Sequence, residues 1–158
     1  MKQFGIILLM LLAVMVAGCN SDDEGTADLP SFVTYSLEPG SNSNAAGTVT
    51  FTRLEEGGVE VMLDLDNTVP GGEHPAHLHY GEATEETTLM AAMLNPVDGD
   101  TGESITIIEK LMEGESFNFD DARAFNGHVK VHLDAGAGYT TTLAIGNVGL
   151  NAIPVDQD

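Results

Sequence analysis

The sequence predicts an all-β fold, an antiparallel Greek-key sandwich or barrel preceded by an apolar leader and a flexible tether. Two observations carry that expectation. From Phe32 onward apolar and polar residues alternate with a period of two, and Gly, Pro, Asn and Asp interrupt the alternation at short intervals. A length of 158 residues fits one domain.

Residues 1–18 have the pattern of a signal peptide. Met1-Lys2-Gln3 gives a short positive start, Phe4 to Val16 is nearly all apolar, and Val16-Ala17-Gly18-Cys19 supplies a small-residue cleavage site. The apolar run falls short of the ~20 residues a spanning helix needs, and no cationic stop-transfer cluster follows. Residues 19–29, with Asn20-Ser21-Asp22-Asp23-Glu24-Gly25, form an acidic tether. The domain is expected over residues 30–152, with residues 153–158 as a C-terminal tail.

Within the domain, Phe32 to Leu37, Gly47 to Thr52 and Val59 to Asp66 alternate as strands with one wet face, separated by Pro39-Gly40, Glu56-Gly57-Gly58 and Pro70-Gly71-Gly72. Further strands are expected at Ala76 to Tyr80, Ser104 to Lys110, Gly127 to Leu133 and Tyr139 to Ile145. Glu82 to Leu94 is rich in helix formers, yet Thr87-Thr88 and the continuous apolar run Leu89 to Leu94 favour a buried strand. Phe119 to Phe125, with Asp120 and Asp121 at its start, fits one helical turn.

Charge excludes whole classes of partner. With 25 acidic residues against 5 Lys plus Arg, the formal net charge is −20. Nucleic-acid binding needs clustered cations, and anionic substrates are repelled by such a surface. Loss of residues 1–18 removes Lys2 and no acid, leaving −21. The single cysteine excludes an internal disulfide and a CxxC site, so metal chemistry falls to histidine, carboxylate or methionine.

All five histidines lie in two windows, Glu73-His74-Pro75-Ala76-His77-Leu78-His79-Tyr80 and Gly127-His128-Val129-Lys130-Val131-His132-Leu133-Asp134. Residues two apart on a strand share a face with Cα atoms roughly 6.5 to 7 Å apart, so His77 and His79 can aim at one ion. His128 and His132 share a face with Lys130. Should the two strands oppose one another across the sandwich or barrel, three or four nitrogens converge into a set preferred by copper or zinc. The bland alternative is that the histidines are ordinary polar residues of a strand face.

Other constellations are weaker. No G-x-S-x-G elbow is present, against a hydrolytic triad. Asp98-Gly99-Asp100-Thr101-Gly102-Glu103 lacks the length of an EF-hand loop and fits a solvated turn. Met90 and Met93 serve copper(I) if they lie near the histidines, with core filling as the alternative. Tyr80 is expected to pack at a sheet edge.

Three resemblances follow from these residues. Val16-Ala17-Gly18-Cys19 resembles the lipobox of bacterial lipoproteins, which implies acylation of Cys19 and attachment to a membrane of the cell envelope, on the periplasmic side or at the outer-membrane surface. Pro75-Ala76-His77-Leu78-His79 followed by Phe125-Asn126-Gly127-His128-Val129-Lys130-Val131-His132 resembles the CHRD domain, a β-sandwich module with an A-H-I-H and a G-Y-V-N-V-H motif. A more distant similarity is to copper-zinc superoxide dismutase. His77 and His79 match its H-x-H copper ligands, Val131-His132 its later V-V-H, and Gly146-Asn147-Val148-Gly149 its glycine segment. The bridging and zinc-loop histidines, both disulfide cysteines and the loop arginine, replaced around Leu150-Asn151, have no counterpart.

The resemblance implies His77, His79 and His132 as ligands of copper or zinc through neutral imidazole nitrogens. His128 or His74 is a candidate fourth ligand, and Asp134 or Glu73 a candidate to orient a ring. Lys130 opposes a cation on that face unless its stem carries the charge away. The expected function is a lipid-anchored, non-catalytic metal-binding domain. A passive interaction module and a degenerate dismutase are the alternatives.

Overall fold

The computed structural model describes residues 30–85, 89–136 and 140–158. The expected signal peptide, Cys19, the tether and Tyr139 therefore lie outside the described residues. The elements, in chain order, are β1 (Phe32–Pro39), β2 (Ala46–Arg53), β3 (Val59–Asp66), β4 (Glu73–Tyr80), β5 (Met90–Asp98), β6 (Glu103–Ile108), α1 (Phe119–Arg123), β7 (Asn126–His132), β8 (Thr142–Gly149) and β9 (Asp156–Gln157).

Every ladder is antiparallel, and the spatial order is β5-β4-β7-β8-β1-β2-β3-β6 with β9 beside β1. Connections that skip between halves make this a Greek-key arrangement. β1 turns the corner: Phe32 to Leu37 pair with β2, while Glu38 and Pro39 pair with β8. At the other seam side chains do the lacing. Asn95 Nδ2 donates to the Ile105 carbonyl at 2.7 Å, Asn95 N to Thr106 Oγ1 at 2.8 Å, and Ser104 Oγ to the Asn95 carbonyl at 2.7 Å. β5 and β6 are thereby joined, and the barrel is nearly closed.

The alternation sorts the strands as expected. Val33, Tyr35 and Leu37 of β1, Val49 and Phe51 of β2, and Val61 and Leu63 of β3 face Leu78, Val129, Val131 and Ala144 from the other half in one core. Tyr35 and Phe51 meet edge to face with ring centroids 6.1 Å apart. The β2–β3 turn needs Gly57 and Gly58 because both sit at positive φ, 93° and 78°.

Several expected boundaries shift for identifiable reasons. β4 begins at Glu73 instead of Ala76, because Pro75 sits at a β-bulge, between His74 and Ala76, and so interrupts no regular ladder. The run Leu89 to Leu94 is not continuously buried: Leu89 is 71% and Met93 65% exposed, while Ala92 and Leu94 line the core. A second bulge, between Leu78 and His79 of the β4 pairing, breaks the period there. β8 runs from Thr142 to Gly149, so Gly146-Asn147-Val148-Gly149 is strand. The expected tail contains β9, which pairs Asp156 and Gln157 with Thr34 and Val33.

The helical turn stands where expected and has a capping box. Asn118 Oδ1 accepts from the Asp120 and Asp121 amides, and Asp121 Oδ2 accepts from the Asn118 amide. Arg53 of β2 fastens it, pairing with Asp120 at 2.7 Å over the Phe119 ring.

Candidate metal centre

β4 and β7 are hydrogen-bonded neighbours, and this corrects the expectation that their histidines face one another across the barrel. Ala76 and Leu78 of β4 and Val129 and Val131 of β7 point into the core. With a period of two, His77, His79, His128, Lys130 and His132 therefore share the outer face of the same sheet. In register, His77 lies opposite Lys130 and His79 opposite His128. Gly127 permits the close pairing beside them, because a Cβ there would collide with the His79 carbonyl and the Phe125 ring.

The outer face is nonetheless shielded. His77 is 3%, His128 0% and His132 6% exposed. One ligand nitrogen from each of His77, His79 and His132 lies within 4.8 Å of the others. The ring of His77 stands 5.2 Å from that of His132 and 5.8 Å from that of His79, centroid to centroid. Nitrogens held at about 2.0–2.1 Å by one ion lie at most about 4 Å apart, so His77, His79 and His132 would hold such an ion with at most a small approach of their rings. The donor set is purely imidazole, which suits copper and zinc.

His128 stacks on His79, with centroids 5.1 Å apart and planes 7° from parallel. Its Nδ1–H donates to the Gly81 carbonyl at 2.9 Å. Its Nε2 therefore carries the lone pair, and that buried atom has no hydrogen-bond partner among the described residues. This is the tautomer a metal-binding imidazole adopts, although His128 stands outside the three-nitrogen cluster. His74 is occupied elsewhere. Its Nδ1–H donates to the Leu133 carbonyl at 2.8 Å and its Nε2 accepts from the Val69 amide at 3.3 Å, so it fastens the residue after His132 to the loop before β4.

Burial depresses the proton affinity of His77, and the Lys130 charge adds to the effect. Burial likewise lowers that of His128, with Lys130 assisting and the Gly81 carbonyl and Glu85 working against it. Lys130, expected to oppose a metal, thus also keeps its neighbours in the neutral form that ligates. Asp134 Oδ1 accepts from the Gly136 amide, which engages it in its own turn, and Glu73 lies exposed at the start of β4. Tyr80 packs on Phe125 as expected, with centroids 5.3 Å apart. Asp98 and Asp100 bind backbone amides of Asp100, Thr101 and Gly71, as a turn does.

Two contributors were not foreseen. The Gly81 carbonyl sets the His128 tautomer, and Asn147 Oδ1, on the residue opposite His128, accepts from the Ala83 amide at 2.7 Å and holds that loop against the sheet. Neither belongs to a residue type that announces a metal site.

No family model matches the chain, and no curated protein matches it. Among solved structures, a mutant of Candida albicans superoxide dismutase 5 is similar, with 19% identity, a TM-score of 0.48, and coverage of 81% of this chain and 94% of that one. A second mutant of the same enzyme matches at 19% identity and a TM-score of 0.45, covering 82% and 100%. At that level of likeness, the chemistry of the centre rests on its own residues.

Proposed function

We propose that this protein is a lipid-anchored CHRD-type domain of the bacterial cell envelope that binds copper or zinc without catalytic turnover. The convergence of His77, His79 and His132 on a shielded outer face carries the reading. Copper or zinc there would be held by three neutral imidazoles, and such an ion supplies Lewis acidity and, for copper, a change of oxidation state. The net charge of −20 favours arrival of cations and disfavours capture of an anion such as superoxide. Cys19, behind an apolar leader, is the anchor in this reading.

Titration of the purified protein with Cu(II) and Zn(II) tests the centre. The wild type is expected to take up one equivalent, with His77→Ala and His132→Ala each weakened by about 100-fold or more. Equal uptake by all three leaves only a passive interaction module. For the anchor, cells fed labelled fatty acid should label the wild type and not Cys19→Ala; label retained on the variant removes the anchor from the reading.

A further inference from the structure

The bulge that breaks the period of β5 has a chemical result. Along β4 and β5, His77 pairs with Met93, Leu78 with Ala92, and His79 with Met90. Between the last two pairs β5 carries one extra residue, Ala91, which is fully buried. Two methionines three apart would lie on opposite faces of a regular strand. The extra residue instead sets both directly opposite the two histidines, on the outer face.

Directly opposite residues have Cβ atoms about 4.5–5.5 Å apart, and methionine has an unbranched side chain with three rotatable bonds. Both thioethers are therefore within reach of the His77 and His79 rings. Neither methionine belongs to the core: Met93 is 65% exposed and Met90 is half-buried. The core-filling alternative thus fails for the pair.

We infer that the centre holds copper(I) as well as copper(II), with the thioether of Met90 or Met93 joining the imidazoles of His77 and His79 around the reduced ion. Thioether sulphur is a soft donor that favours Cu(I), whereas imidazole serves either oxidation state and also zinc. The placement thus selects copper over zinc and the reduced ion over the oxidised one. This inference rests on the metal-binding reading proposed above.

The test compares the full-length wild type with Met90→Leu/Met93→Leu, which keeps side-chain bulk and removes both sulphurs. Cu(I) affinity is measured without oxygen by competition with a chromophoric Cu(I) chelator, and Cu(II) affinity by competition with an amino-acid chelator. The double variant is expected to lose about tenfold or more in Cu(I) affinity and to keep its Cu(II) affinity within about twofold. X-ray absorption of the Cu(I)-loaded wild type should show a copper–sulphur shell that the variant lacks. Unchanged Cu(I) affinity, or a spectrum with nitrogen neighbours only, overturns the inference. If Cu(II) binding still depends on His77 and His132 in that case, the metal-binding reading survives. Should neither oxidation state bind through the histidines, both fall together.

Discussion

Two outward faces of one barrel show how the same alternation serves different ends. On β2 and β3 the outward residues are Thr48, Thr50, Thr52, Glu60, Met62 and Asp64, all half-buried or exposed. The Thr50 hydroxyl meets that of Thr34 at 2.9 Å across the ladder. On β4 and β7 the outward residues are His77, His79, His128, Lys130 and His132, and three of the four histidines are buried. The difference lies above the sheet. A loop held by Asn147 places the Gly81 carbonyl on His128, while His74 ties down the residue after β7. Polar residues under such a cover are desolvated, which favours neutral imidazoles and strengthens their hold on an ion.

The largest expected effect comes from two matched cavities. Leu78 and Leu63 are both fully buried, one beneath the histidine face and the other beneath the threonine face. Each change to alanine should cost about 2–5 kcal/mol in denaturant unfolding of the metal-free protein. Only Leu78→Ala, between His77 and His79, should also weaken metal binding, by about tenfold or more, because a loosened strand no longer aims both rings. Equal losses of metal affinity in the two variants would erase the distinction between the faces.

A smaller effect concerns acid. His77 and His128 take up protons less readily in the folded protein than in the unfolded chain, burial being the chief cause in both. As pH falls below about 6.5 the unfolded state binds protons that the folded state still refuses, so stability drops until the depressed folded values are reached. Above the ordinary imidazole value this contribution is fully present. Unfolding midpoints of the metal-free protein at pH 7.5 and 5.5 should therefore differ more for the wild type than for His77→Gln/His128→Gln. An identical pH dependence in both would mean the histidine face is no drier than its counterpart.

The fold was legible because an antiparallel barrel writes its pleat directly into the chain: β1, β2 and β3 stand where alternation puts them, and Gly57-Gly58 and Gly71 stand at the two ends of β3. Legibility failed where a bulge changed the count. Pro75 concealed the first residues of β4, and the extra Ala91 concealed the face shared by Met90 and Met93. Histidine spacing grouped His77 with His79 and His128 with His132, but it gave neither the side of the sheet they occupy nor the exclusion of His128 from the three-nitrogen cluster. Alternation is symmetric between inside and outside, and only the flanking Leu78, Val129 and Val131 decide which is which. The cover over the site was illegible, since a backbone carbonyl such as that of Gly81 has no residue-type signature.

β1 has a mechanical meaning as well. It pairs with β2 along Phe32 to Leu37, with β9 on its opposite edge, and with β8 at its end. In the anchored reading, the tether that ends at residue 29 runs almost directly into this strand, so any drag on the body is transmitted along β1. The attachment point is then a strand held on both edges, by β2 on one side and by β8 and β9 on the other.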